Sequence, residues 1–167
     1  MDSYLERLHQ ELEHAIAGAT PARLEAASDG KWSPAEIAEH LLLTYQGTNK
    51  GVAKCLAKGS SLAGRVTFKD RIRSFIVVNV GYFPRGRKSP ERAVPKGMPP
   101  EEVRRAIFAE IRQMEEGLAE CERKFGPRTK IMDHPILGPL NVRQWRKFHW
   151  VHGRHHARQI RERLQSG

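Results

Sequence analysis

The stretch NVRQWRKFHWVHGRHHARQI, Asn141 to Ile160, decides how this chain folds. It carries four histidines on a strongly basic segment, which is either a solvated charged helix or a helix with imidazoles on its buried side. Each residue advances about 100° around a helix. Taking His149 as zero, Trp145, His152 and His156 fall at about 320°, 300° and 340°, and Val142 and Ile160 at about 20°. Arg143, Lys147, Arg154, Arg158 and Arg161 gather between about 120° and 180°. One face is basic and wet, and the other mixes apolar residues with histidines. His155, at about 240°, sits on the border.

Buried imidazoles need partners. His152 and His156 are four residues apart, so their rings lie one above the other within reach of a single ion. Neutral imidazole is a ligand for zinc or nickel, and such a site needs a third donor from another helix. His40 qualifies, because Ile37, His40, Leu41, Thr44 and Thr48 form one inward stripe. His149 shares the inward face and is an alternative to His152 or a neighbour supporting the ligands. His9, His14 and His134 have no partner pattern and are read as surface residues, whereas Trp145 and Val142 are read as packing.

The segment that carries His40, DGKWSPAEIAEHLLL, has the best-marked helix start in the chain. Ser33 is the N-cap, Pro34 the first helical residue and Glu36 the reciprocal partner of a capping box, with Trp32 and Ile37 as a staple. The pattern predicts helices at about 3–17, 33–56 and 101–124, and a last one after an Asn141/Gln144 cap pair. Residues 58–64 read as a Gly/Ser loop and DHPILGPL as a turn. Between Val66 and Phe83 the run FIVVNV allows a strand, but the length of the segment favours a helix. Phe83 to Pro100 is a long proline-rich loop of the kind that is often functional or mobile.

At 167 residues one domain spanning 1–167 is the simplest organisation. Cys55 and Cys121 show no CxxC spacing, which favours a reducing, cytoplasmic setting. No segment approaches the length of a bilayer span and the N-terminus lacks a signal core, so no membrane partner is expected. The formal charge of +10 attracts polyanions. Nucleic acid is a possible but not favoured partner, because the cations are dispersed and no reader motif accompanies them.

KWSPAEIAEHL, followed far downstream by HPILGPLNVRQWRKFHWVHGRHHARQI, resembles the DinB/YfiT-like superfamily, and in particular an uncharacterised branch with an HPxxGPL turn, a Trp and an HxxHHxxQ run. The resemblance implies an all-α, DinB-like four-helix bundle of up-down-down-up type, with the proline-rich loop between the third and fourth main helices, commonly a homodimer. It implies a divalent metal held by three histidines, which fall on His40, His152 and His156. Gln159 is then a candidate to contact a ligand from behind or to line the pocket, and His155 is a neighbour. The apolar run from Phe75 to Phe83 is expected either to pack inside or to form a dimer interface, with the interface favoured because bundle relatives pair.

The function the resemblance implies is a metal-dependent enzyme, with S-transfer from a low-molecular-weight thiol ahead of hydrolysis. Three histidines leave an open position where a thiol or water can lose its proton. No general base is nominated: Glu39 adjoins His40 but points about 100° away. HExxH, nucleophile-elbow and phosphate-loop motifs are missing from the sequence. The competing class is a non-enzymatic metal-binding bundle whose basic face docks on nucleic acid or a partner.

Overall fold

The computed structural model describes residues 2–27, 30–81 and 89–166. Six α-helices and one hairpin follow in the order α1 (Ser3–Ile16), α2 (Pro21–Glu25), α3 (Pro34–Lys58), α4 (Phe68–Ser74), α5 (Pro100–Phe125), β1 (Lys130–His134), β2 (Gly138–Asn141) and α6 (Val142–Ser166). The architecture is all-α, with the hairpin as its only sheet among the described residues. The long helices pair α3 along α5 and α1 along α6, and α3 also meets α6. Their inward stripes, including Leu5, Leu8 and Leu12 of α1 and Ile107, Ile111, Met114 and Leu118 of α5, form one core with Leu41 and Tyr45 of α3 and Trp145 and Ile160 of α6.

The caps read from the sequence do start the helices. Ser33 Oγ accepts from Glu36 N at 3.2 Å while Glu36 Oε2 accepts from Ser33 N at 2.8 Å. Asn141 and Gln144 reciprocate in the same way, at 2.9 and 3.1 Å. These bonds satisfy donors that would otherwise be orphaned at a helix start. They also fix the rotational setting of α3 and α6, and therefore where the histidines point. Gly153 lets α6 lie close to α1: a Cβ there would stand 2.1 Å from Leu8 Cδ1.

Three stretches differ from the sequence reading. Residues 21–25, for which the sequence pattern predicts no element, form the short helix α2 under a Thr20 cap. DHPILGPL is a hairpin rather than a simple turn, with Met132 opposite Leu140 and His134 opposite Gly138. Ile131 and Leu140 are completely buried in it, so the core stabilises strands too short for an alternation pattern to reveal. The helix preferred over a strand for 66–83 is present, but α4 widens into a π-helical turn, Phe75–Val80, that ends at Gly81. Of the long loop, residues 83–88 lie outside the described residues, and the remainder contains a 3-10 turn, Glu91–Ala93.

Arg146, on the core side of α6, is 6% exposed. Its guanidinium holds Glu115 through two bonds of 2.9 and 3.0 Å and Glu122 through one of 2.7 Å. A buried charge is tolerated in a core only when paired in this way, and the pairing ties α6 to α5.

Candidate metal centre

His40 is 4% exposed, on the second turn of α3. Its Nδ1 donates to the carbonyl oxygen of Ala93 at 2.7 Å. Ala93 belongs to the 3-10 turn, and the chain after it is gripped by the residue preceding His40. The carboxylate of Glu39 accepts from the backbone N–H groups of Lys96, Gly97 and Met98 at 2.8, 3.0 and 3.0 Å. Glu39 is therefore an anchor for the loop, not a base, and consecutive residues of α3 set the loop and orient the imidazole. Trp32 packs on the His40 ring at 5.3 Å between centroids.

His152 and His156 come from successive turns of α6. The His152 ring stacks on Phe148, 5.3 Å away and 12° from parallel. His156 Nδ1 donates to Gln159 Oε1 at 2.7 Å. The Nε2 atom of His152 lies 3.1 Å from Nε2 of His156 and 3.5 Å from Nε2 of His40. One ligand atom from each of the three residues falls within 4.8 Å of the others. The convergence expected from the sequence is present.

The tautomers make this cluster unusual. A neutral imidazole carries one ring proton. In His40 and in His156 that proton is spent on Nδ1, so both Nε2 atoms present bare lone pairs to the space shared with His152. His152 can offer a proton to one of them at most. Protonating further is disfavoured: burial lowers the His40 pKa against the Ala93 bond that raises it. Burial, then the neighbouring imidazoles of His156 and His40, push His152 well below the ordinary value. Burial and His40 bring His156 down to about 3. Three neutral nitrogens converging with at most one proton among them are the donor set of a cation. Three nitrogens at about 2.0–2.1 Å from one tetrahedral zinc stand about 3.3–3.4 Å apart, close to the 3.1 and 3.5 Å separations here. The residues fit a divalent ion.

His149 does not join them. It is fully buried and its Nε2 meets Thr48 Oγ1 at 3.0 Å, while that hydroxyl donates to Thr44 O at 3.2 Å. The ring packs between Trp145 and Tyr45, and burial lowers its pKa to about 3. His155 contacts the His156 ring at 5.1 Å from outside the cluster. His14 is exposed, as expected. His9 and His134 correct the surface reading: His9 is half-buried against Phe108. His134 packs on Phe148 and Trp145, and its Nδ1 accepts from the backbone of Ile136 and Leu137, closing the hairpin.

The cluster opens on a cleft of about 2000 Å³ between α3, the hairpin and α6. Lys50, Lys54, Arg92, Lys96 and Arg158 line it against two acids, Asp133 and Glu162. Both acids are engaged: Asp133 accepts from Gly64 N at 3.0 Å and Glu162 from Arg158 Nε at 2.8 Å.

Gln159 offers a direct check on the tautomer argument. Gln159→Leu removes the acceptor that keeps the proton on His156 Nδ1, and is expected to weaken divalent-ion binding by about 10–100-fold. Competition with a chelator of known affinity measures it, and Gln159→Glu, which keeps an acceptor, is expected to retain tight binding.

No curated protein and no solved structure matches the chain. The family model of the DinB superfamily matches residues 4–160, nearly the whole helical core and all three converging histidines, and the chain belongs to that superfamily.

Proposed function

We propose that the protein is a divalent-metal-dependent enzyme that uses a low-molecular-weight thiol, with His40, His152 and His156 holding zinc or nickel. The observation that carries this reading is the meeting, at His152 Nε2, of the His40 and His156 Nε2 lone pairs, whose ring protons are committed to Ala93 and Gln159. Superfamily membership supports the same conclusion. When bound, such an ion lowers the pKa of a thiol or water brought beside it.

The choice between the two follows from the residues around the cleft. Hydrolysis gains from a carboxylate free to accept a proton from the attacking water. Among the described cleft residues the two carboxylates are already paired, and Glu39 is spent on three backbone donors. A thiol begins far closer to ionisation than water does and needs no such base. The cationic lining favours a thiol that carries negative charge elsewhere. Two free cysteines, both buried, suit a reducing cytoplasm.

Cobalt substitution tests the proposal. Thiols added to the cobalt-loaded protein are expected to change its visible spectrum, and His40→Ala is expected to stay folded while losing that response. A spectrum indifferent to every thiol, together with ester or amide hydrolysis lost on chelation, would transfer the assignment to a hydrolase. Chelation that merely melts the protein, with neither response, would leave the ion a structural part of a binding bundle.

A further inference from the structure

The largest exposed apolar side chains cluster on one short segment. Phe68 is 77% exposed, Phe75 58%, Val80 64%, Ile72 45% and Ile76 38%. They follow a helical line: with Phe68 at zero, Ile72 falls at about 40°, Phe75 at about 340° and Ile76 at about 80°. Val80 comes one wide π turn after Phe75. The opposite side of the same segment carries the buried Ser74, Val77 and Val78, and these attach it to the protein. The segment is apolar on two faces, and no described element covers the outer one. Continuous apolar surface of several hundred Å² marks an interaction site.

The borders of the stripe identify its occupant. Arg71 falls at about 300° on one side, and Lys69 and Arg73 at about 100° and 140° on the other. Arg65 precedes the helix. Arg65, Lys69 and Arg71 make no ion pair among the described residues, and the single acid of the helix, Asp70, is committed to the N-cap, where its carboxylate accepts from Thr67 N at 2.9 Å. An apolar arc with cations along both edges is the pattern of a helix lying in a lipid–water interface, where phenylalanine and isoleucine enter the acyl boundary and basic heads reach up to phosphates. A second copy, the occupant expected from the sequence, would bring its own cations against these. The side chains also stand proud of a convex helix face. A fluid acyl layer receives such projections without needing a matching groove.

We propose that the outer face of Phe68–Val80 docks the protein on the surface of an anionic lipid bilayer. No described helix is long and apolar enough to cross a membrane, and attachment to one leaflet requires none. Val77 and Gly81 of the same segment line the cleft, so a docked molecule holds one cleft wall next to the lipid.

Vesicle sedimentation of the full chain decides it. Binding to phosphatidylcholine vesicles containing about one-third phosphatidylglycerol is expected to exceed binding to phosphatidylcholine alone by about tenfold or more at low salt. Phe68→Ser combined with Phe75→Ser is expected to reduce that binding by about tenfold, with an unchanged melting temperature because both rings are exposed. Lys69→Ala with Arg71→Ala and Arg73→Ala is expected to flatten its salt dependence. Tryptophan fluorescence of a Phe68→Trp variant is expected to shift to the blue on anionic vesicles. Equal binding to both vesicle types, or binding untouched by the phenylalanine pair, overturns the proposal. So does sedimentation equilibrium that finds a dimer which Phe68→Ser and Phe75→Ser split, since a second copy then occupies the face.

Discussion

His156→Ala is expected to lower affinity for zinc or nickel by roughly two to three orders of magnitude, the share of one ligand in the about 10–16 kcal/mol that structural zinc sites supply. The metal-free protein is expected to respond differently. His156 is half-buried and borders the cleft, so its truncation opens onto the cleft instead of leaving a sealed cavity. It also removes one of the lone pairs that crowd together 3.1 Å from His152 Nε2. Stability of the apoprotein should thus change by no more than about 1 kcal/mol, whereas that of the loaded protein should fall by the lost binding energy. Denaturant unfolding with and without chelator, alongside elemental analysis, separates the two. Equal destabilisation in both conditions would mean that the three rings are packing elements, and the proposed metal-dependent function would fall with them.

The histidines of α6 were legible because a helix fixes side-chain direction once its face is known. The five arginines and lysines from Arg143 to Arg161 that gather on one side define that face without reference to any other element. The caps at Ser33 and Asn141 were legible for a similar reason, being local chemistry within four residues. What escaped depends on where the chain returns. His149 differs from His156 by only about 20°, and Thr48 on a neighbouring helix turns it away from the cluster. Helical angle excluded Glu39 as a base, but its three backbone partners lie 57 to 59 residues downstream. The Ala93 carbonyl that orients His40 has no side-chain signature at all. Arg146 falls at about 60° on the same wheel, between the wet and buried sectors. Only Glu115 and Glu122, two turns apart on α5, make its burial favourable. The hairpin was missed because β1 and β2 are five and four residues long with a register irregularity.

Acid is expected to unfold the metal-free protein at or above the pH at which ordinary carboxylates protonate. Burial holds His134 at about 4 and His149 and His156 at about 3, and lowers His40 and His152 as well. In the unfolded chain each returns to about 6.5. Below that value the unfolded state binds protons that the folded state refuses, so stability is complete above pH ~6.5 and declines as the pH falls toward about 3. At about 1.4 kcal/mol per unit, each strongly lowered histidine costs about 2 kcal/mol at pH ~5. His134, His149 and His156 together then cost about 6 kcal/mol, comparable with the about 5–15 kcal/mol that a small protein has in total. An unfolding midpoint between pH ~4 and ~5.5 follows for the apoprotein, measurable by circular dichroism. His149→Gln, which can still bond Thr48, removes one titrating group and is expected to move the midpoint down. Zinc is expected to move it down further, because acid must then displace the ion as well as protonate its ligands. A midpoint below pH ~4 that neither change affects would mean that these imidazoles take up protons inside the intact fold. The packing around Phe148 and Thr48 would then be looser than the contacts of His149 and His152 require.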